Sequence, residues 1–208
     1  LEKIDEIEDA SEAFRTRTKA EAKFLRAKFY FDLVRLFGNI PLIDHTLGAS
    51  EYYTVEQVGP DQIYPLIVSD LEAAITDLPT SVSSNQLGRV TKGAAQALLA
   101  RVLLFEDDAS SMAQVASLCE SVIQSGEYSL LPSFSDIWSA EGEWSSESVF
   151  EITYSENSAS DWGSFGWGGG EGNVGVQLIG MRDYNGPTYA TGWGFCPVST
   201  ELEAAMDG

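Results

Sequence analysis

Residues 155–195 concentrate the side chains of this chain that could bind a ligand. The stretch is rich in glycine, tryptophan and tyrosine and has no helical or strand periodicity. Aromatic rings can stack on the apolar faces of sugar rings, and carboxylate, amide and guanidinium groups can hydrogen-bond sugar hydroxyls. The candidate ligand-binding residues are Asp161, Trp162, Trp167, Arg182, Tyr184, Tyr189 and Trp193. Each ring could also pack beneath its own loop, which is the structural alternative to a role in binding.

No catalytic motif accompanies these aromatic residues. A glycosidase needs two carboxylates across a cleft. The acids near the loop are typical of exposed surface and strand-edge residues, and they are Glu141, Glu143, Glu147 and Glu151. The only histidine, His45, has no cysteine or acidic partner at a useful spacing, and we interpret it as a loop residue. Asp107 and Asp108 could meet Ca²⁺ at a turn, but they lack the alternating oxygen ligands of an EF-hand. We therefore expect no enzyme activity and no cofactor.

The charge of the chain is strongly negative and unevenly placed. The net charge is −20, and from residue 38 onward only four basic residues accompany 24 acidic ones. Such a field repels phosphate backbones, so it excludes nucleic acid as a partner. It suits neutral or cationic ligands, or solubility in a salty medium.

The helix predicted from Phe24 to Phe37 is the central element of the scaffold that must position these loops. Its apolar side chains point in nearly every helical direction, so we expect neighbours to cover it on several sides. Gly38 offers a left-handed C-terminal cap, and Pro41 favours an extended residue before it, which predicts an abrupt end. Residues 1–19 are charged, with apolar residues spaced along one helical face.

Further helices are predicted over residues 60–78, 92–106 and 112–126. Pro65 suggests that the first of them begins at Asp61 or later, because proline is best tolerated in the first turn. Thr91 is placed to cap the second. The last two are joined by a tight turn and have alanines where they would cross, which is typical of an αα-hairpin of tetratricopeptide (TPR) type.

The pattern changes after residue 127. Residues 149–154 alternate like a strand, residues 155–198 are loop-rich, and residues 199–206 begin another helix. Cys119 and Cys196 are far apart and have no CxxC partner, so separate thiols are favoured over a disulfide. No apolar run reaches the roughly 18–20 residues of a membrane helix, and the chain reads as a mature or trimmed one.

Several segments, taken in order, resemble the SusD/RagB family of Bacteroidetes outer-membrane lipoproteins. They are AEAKFLRAKFYFDLVRLFGNIPLI (20–43), IYPLIVSDLEAAITDLP (63–79), GRVTKGAAQALLARVLLF (88–105), SGEYSLLPSFSDIW (125–138), SESVFEITY (146–154) and GWGFCPVSTELEAAM (192–206). The first and third strings are the most specific, and the matches extend over essentially the whole chain.

The resemblance implies a mainly α fold of TPR-like antiparallel helix pairs in an α–α superhelix, with a loop-rich, minor-β ligand face. It implies a single domain, incomplete here because family members are much longer, with a helical scaffold over 1–126 and a ligand-binding segment over 127–208. It also implies a surface-exposed lipoprotein of the outer membrane, whose lipid anchor lies outside this chain. Such a protein would capture oligosaccharide or polysaccharide for import by a SusC-like TonB-dependent transporter.

Two other functions remain open on the sequence. The protein could bind peptides for import, or its helix pairs could form a TPR-type protein-interaction scaffold without a small ligand. The tryptophan-rich loop favours sugar over peptide. An enzyme is the third and least favoured possibility.

Overall fold

The described residues of the computed structural model, 1–106, 109–139, 142–154, 174–187 and 191–206, fall into two units, Leu1–Glu151 and Ile152–Gly208. The first unit contains α1 (Glu12–Phe37), β1 (Ile40–Pro41), β2 (Gln57–Val58), α2 (Pro60–Asp77), α3 (Lys92–Glu106) and α4 (Met112–Gln124). The second contains α5 (Val174–Ile179) and α6 (Thr200–Met206). Short 3-10 helices lie at Glu2–Glu6, Ser84–Gln86, Ala109–Ser111 and Phe134–Trp138.

At both ends of the central helix, α1, the sequence provides hydrogen-bond partners for terminal backbone groups. The Oγ of Ser11 accepts a hydrogen bond from the N–H of Phe14 at 3.2 Å, which caps the first turn. Gly38 has a φ of 70° and donates to the carbonyl of Val34 at 2.9 Å. A positive φ is a conformation that glycine adopts without strain. The predicted end at Gly38 is confirmed, and the helix extends back into the charged N-terminal stretch.

The helices of the first unit pack mainly against their neighbours in sequence, and α1 also touches α3. Arg89, just before α3, pairs with Glu21 in the first half of α1 at 2.7 and 2.9 Å. Phe105, at the end of α3, meets Phe31 edge to face at 5.6 Å. α1 and α3 therefore run in the same direction, with α2 packed against both. The predicted mainly α architecture of helix pairs is confirmed.

The core of the first unit lies where α1, α2 and α3 meet. Burying a large apolar side chain contributes about 1.5–3 kcal/mol, so these contacts dominate the stability of the unit. The largest fully buried side chains are Phe24, Phe31, Ile63, Ile67, Leu71, Leu99 and Val102. Among the described residues one charged side chain, Asp70, is also buried, and its carboxylate accepts two hydrogen bonds from the guanidinium of Arg26 at 2.7 and 2.8 Å.

The expectation that α1 is covered on several sides is wrong for the described residues. One stripe is buried, and it carries Ala20, Phe24, Ala27, Phe31 and Val34. On the rest of the helix, Phe29 is 58% exposed and Leu36 is 75% exposed. The reason is that α2 and α3 both approach the same stripe. Among the other apolar side chains of α1, Tyr30 is partly buried, whereas Leu33 and Phe37 are 42% and 68% exposed.

α2 begins at Pro60, and not at Asp61 or later as Pro65 had suggested. Pro60 occupies the first helical position, where its missing N–H and fixed φ cost nothing. Pro65 lies inside the helix, so the carbonyl four residues earlier loses its intrahelical partner. The helix ends at Asp77, and Leu78 is extended ahead of Pro79, as expected for a residue before proline.

The segment after α4 returns to the start of α3 and to α1. Thr91 caps α3 as predicted, because its Oγ1 accepts the N–H of Ala94 at 3.3 Å, and it also lies 2.8 Å from the hydroxyl of Tyr128. Phe150 packs edge to face against Phe24 at 5.2 Å. Residues 127–151 thus belong to the first unit. The predicted division into a scaffold (1–126) and a ligand-binding segment (127–208) concerns function and stays a prediction.

The strand predicted over residues 149–154 is wrong. In the described residues β1 pairs with β2 in a two-stranded sheet, whereas residues 149–154 have no strand partner. The apolar side chain of Phe150 packs against Phe24 of α1. The Glu151 carboxylate accepts the N–H of Trp144 at 3.1 and 3.2 Å. The alternation therefore reflects packing on one side without strand pairing. The helix predicted over 199–206 is confirmed as α6.

Candidate ligand-binding site

The structure describes part of the predicted ligand-binding set. The candidates that lie outside the described residues are Asp161, Trp162, Trp167 and Tyr189. The candidates that the structure places, all in the second unit, are Arg182, Tyr184 and Trp193.

Two short stretches of backbone hold Arg182 beside Trp193. Arg182 and Gly192 form a parallel β-bridge, and the N–H of Gly194 donates to the carbonyl of Gly180 at 2.8 Å. A Cβ atom on Gly192 would lie 2.5 Å from the backbone of Gly180, so this close approach requires glycine. The Nε of Arg182 then donates to the carbonyl oxygen of Trp193 at 2.8 Å.

An exposed pair of aromatic rings lies next to this arginine. The ring of Trp193 meets that of Phe195 edge to face at 5.9 Å, and the two side chains are 37% and 48% exposed. Phe195 is missing from the predicted set, although its place two residues after a candidate tryptophan was a usable signal. Tyr184 is half-buried, and its hydroxyl lies against Gly186, so its ring folds over its own turn. The structure therefore brings together Arg182 and Trp193, and adds Phe195.

A second exposed aromatic pair lies in the first unit, in the loop between β1 and β2. Tyr52 is 63% exposed and Tyr53 is 95% exposed. The sequence prediction omitted both, although two adjacent aromatic residues in a polar loop have no core periodicity to explain them. Large exposed rings on a loop are typical of binding surfaces.

Charged contacts fix the shape of this tyrosine loop, residues 44–54. The Nδ1 of His45 lies 2.8 Å from Oδ1 of Asp44, and its Nε2 lies 3.6 Å from Oε1 of Glu51. The other oxygen of Glu51 accepts the N–H of Gly48 at 2.6 Å. The backbone carbonyl of Asp44 accepts Nη1 of Arg26 at 3.0 Å. The prediction that His45 lacks an acidic partner is therefore wrong, because the loop folds back and brings Glu51 to it.

These contacts shift the pKa values of the loop. The hydrogen bond with Asp44, and then the ion pair with Glu51, raises the pKa of His45 above its usual value. The pKa of Asp44 is lowered chiefly by its hydrogen bond with His45. The pKa of Glu51 is lowered first by the N–H of Gly48 and then by His45. All three side chains lie at the surface, so the group is an electrostatic cluster and not a buried catalytic site.

An apolar groove of about 1100 Å³ runs beside α1 and the β1–β2 pair. Its apolar lining consists of Phe29, Tyr30, Leu33, Phe37, Ile40, Pro41 and Ile43. The hydroxyl of Tyr30 is already engaged with the backbone N–H and carbonyl of Ile43, at 2.7 and 3.0 Å. Polar groups at its rim come from Arg26, Asn39 and Gln57. The groove is thus better suited to apolar side chains than to sugar hydroxyls.

The acidic turn that was considered for Ca²⁺ lies outside the described part of the chain. Asp107 and Asp108 lie there, and within the part that the structure describes no three His, Cys, Asp or Glu side chains are grouped to hold a metal ion. Cys119 and Cys196 are free and exposed thiols. None of the helices that the structure describes is both long and apolar enough to span a membrane.

Comparison with known proteins finds relatives over the whole chain. A SusD-like family model described as "Starch-binding associating with outer membrane" matches residues 1–104. A SusD-like protein of Formosa agariphila is 31% identical over 190 residues, which cover 90% of this chain and 36% of that protein. The solved structure of a laminarin binding SusD-like protein matches with a TM-score of 0.91 at 35% identity, over 100% of this chain and 46% of the other.

A second solved structure gives the same result. Surface glycan-binding protein A from Bacteroides thetaiotaomicron, in complex with laminarihexaose, has a TM-score of 0.85 and 33% identity, over 97% of this chain and 42% of the other. The chain thus spans less than half the length of each of these relatives. The family model covers half of the chain and includes α1, α2 and most of α3. The chain therefore belongs to the SusD-like family.

Proposed function

We propose that the protein binds an oligosaccharide or polysaccharide at the cell surface and does not turn it over. The observation that supports this most directly is the placement of Arg182 beside the exposed rings of Trp193 and Phe195. A ring offers a flat apolar surface for the C–H face of a sugar, and a guanidinium donates to its hydroxyls. Tyr52 and Tyr53 offer a second aromatic surface of the same chemistry.

Laminarin and its oligosaccharides are the ligands to test first. The similar structures include a laminarin binding protein and one in complex with laminarihexaose. The net charge of −20 is compatible with a neutral glycan, because a polyanion would be repelled by the surface. A neutral glucan therefore agrees with both the relatives and the charge.

Delivery to a SusC-like TonB-dependent transporter is the second half of the proposal. The family description places its members at the outer membrane, which is where such a transporter lies. The protein would be a surface-exposed lipoprotein of the outer membrane. Capture without hydrolysis agrees with relatives that are named for binding.

Replacing Trp193 by alanine tests the proposed contact with glycan. Loss of a stacking ring should weaken the binding of laminarihexaose about tenfold, which corresponds to roughly 1.4 kcal/mol. Isothermal titration calorimetry of the purified protein measures this directly.

Trp138→Ala is the matched control for this experiment. Trp138 is 76% exposed and meets Phe134 edge to face at 6.0 Å, so it repeats the local arrangement of Trp193 in the first unit. Its loss should leave the affinity unchanged. Equal effects of the two substitutions, or no effect of Trp193→Ala, would reject the assigned site.

A protein-docking role is the second candidate, in line with a TPR-type scaffold or a peptide-binding component. The apolar groove beside α1 favours it, because a large exposed apolar surface is typical of protein contacts. Phe29→Ser separates the two functions. A variant that still binds laminarihexaose but no longer co-purifies with the transporter would show that this face serves a protein partner.

A further inference from the structure

The tyrosine loop, residues 44–54, is organised around one carboxylate. Glu51 accepts the N–H of Gly48 at 2.6 Å through Oε2, while its backbone carbonyl accepts the N–H of Thr54 at 3.0 Å. Tyr52 and Tyr53 follow directly and project into solvent. Glu51 thus closes the turn from which the two rings project.

His45 has a carboxylate at each of its ring nitrogens. Nδ1 lies 2.8 Å from Asp44, and Nε2 lies 3.6 Å from Glu51. A neutral imidazole carries a single N–H, so it can donate to one carboxylate while its lone pair faces the other. The protonated ring can donate to Asp44 and at the same time form an ion pair with Glu51. The geometry of the loop is therefore that of an imidazolium between two carboxylates.

The charges around this histidine come from three elements. Asp44 and Glu51 belong to the loop, Glu2 of the preceding 3-10 helix accepts the N–H of Thr46 at 3.4 Å, and Arg26 projects from α1. Arg26 directs two of its nitrogens to Asp70, which offsets its positive charge. The balance near His45 is thus negative, and a negative surrounding stabilises the protonated ring.

We propose that protonated His45 latches the tyrosine loop to Glu51, so that Tyr52 and Tyr53 are held in place while the ring is charged and released when it loses its proton. The direction of the pKa shifts agrees with this assignment. The pKa of His45 is raised and that of Glu51 is lowered, so both groups are charged over the interval between their two pKa values. The latch is complete there and weakens as the pH rises through the pKa of His45.

Nuclear magnetic resonance tests the latch without any ligand. The imidazole signal that disappears in His45→Gln identifies the residue, and it should titrate above the ordinary value of about 6.5. In Glu51→Gln this pKa should fall, because the amide oxygen can still accept the N–H of Gly48 but no longer carries the charge. Glu56→Gln is the matched control, since Glu56 is an exposed acid in the same connection, and it should leave the pKa unchanged.

Hydrogen exchange of the loop amides provides the second readout. After correction for intrinsic rates, the protection of residues 48–54 should fall about two- to fivefold as the pH rises through the titration of His45. In His45→Gln the protection should be low and independent of pH. A His45 signal that titrates at or below about 6.5, or loop protection that ignores pH, would overturn the latch.

The consequence for binding rests on the proposed glycan function, whereas the latch itself does not. The affinity for laminarihexaose should fall about two- to fivefold across the same pH interval in the wild type and stay constant in His45→Gln. Constant affinity in the wild type, together with a titrating loop, would show that the loop takes no part in binding. A titrating loop with no glycan binding at any pH would support the latch and reject the proposed function.

Discussion

At the scale of the residue, two glycines in the string GRVTKGAA explain how the segment after α4 can return to α3. A Cβ atom on Gly93 would lie 2.5 Å from Cε2 and 2.6 Å from the hydroxyl of Tyr128. Gly88 has a φ of 91°, and a Cβ there would lie 3.1 Å from the ring of Trp144. Both positions therefore leave room for an aromatic ring from the returning segment.

Gly93→Ala should destabilise the protein although alanine is the better helix former. Alanine in a helix normally gains about 0.5–1 kcal/mol over glycine. Here the added methyl group displaces Tyr128, whose hydroxyl is bonded to Thr91, and we expect a net loss of about 1–2 kcal/mol. Urea denaturation of the single variants and of the double variant with Tyr128→Ala measures the coupling.

The sign of the stability change that Gly93→Ala causes in the double variant is the decisive measurement. In the Tyr128→Ala background the space beside residue 93 is open, so Gly93→Ala should stabilise the protein. If Gly93→Ala has the same effect in both backgrounds, the close contact with Tyr128 is not what requires glycine at this position.

At the scale of the element, α1 has two faces of similar composition but opposite environments. Phe24 is 1% exposed and packs against Phe150, whereas Phe29 is 58% exposed. Hydrophobic stabilisation follows the area removed from water, so the same residue type contributes unequally at the two positions.

Truncation of these two phenylalanines should therefore differ strongly. Phe24→Ala leaves a cavity in the core and should lower the free energy of unfolding by about 3–5 kcal/mol. Phe29→Ala should lower it by about 1 kcal/mol or less, as for an exposed position. Chemical denaturation of the 208-residue chain measures both. Similar costs at the two positions would mean that Phe29 is covered in solution.

Local chemistry made the end of α1 and the start of α3 predictable, whereas contacts between residues far apart in the sequence were not. Gly38 and Thr91 act on the backbone beside them, so their roles could be deduced from the sequence alone. Which face of α1 is covered depends on α2 and α3, and an all-round apolar helix does not encode that choice. Phe150 lies in a segment that alternates like a strand, but its ring packs against α1. Glu51 contacts His45 only once the loop has folded. These contacts join residues that no local pattern connects.

The candidate site, too, could be predicted from the sequence only in part. Residue type and the absence of periodicity were sufficient to single out Arg182 and Trp193, which the structure brings together. The same criteria also apply to Tyr52 and Tyr53, which are aromatic residues without periodicity in a shorter loop. The sequence could not distinguish the half-buried ring of Tyr184 from the exposed rings, because the burial of a ring within a turn depends on the geometry of that turn.

At the scale of the whole molecule, charge is the property that constrains the ligand most. Beyond residue 37 the chain has four basic residues and 24 acidic ones, so its field is negative over most of its sequence. Fields of this kind act over a Debye length, which is about 8 Å at physiological ionic strength. A neutral ligand is unaffected by this field, and a polyanionic one is repelled.

Sulfated laminarin should therefore bind more weakly than laminarin, and the difference should shrink as salt is added. At low ionic strength we expect the Kd of sulfated laminarin to be about tenfold higher than that of laminarin. This difference should largely disappear by about 0.5 M NaCl. Affinity electrophoresis or calorimetry over a salt series measures it, with unmodified laminarin as the control that should show little salt dependence. Tighter binding of the sulfated form would instead indicate a local basic patch around Arg182.

The contact between Phe24 and Phe150 also sets an order of events during synthesis. α1 leaves the ribosome long before residue 150 does, and its most buried ring is completed by one of the last residues of the first unit. A nascent chain that ends after α4 can form its helices but still exposes part of the surface of Phe24. The first unit therefore reaches its final packing only after Phe150 has been synthesised, and until then a growing chain has an unprotected apolar site that a chaperone could hold.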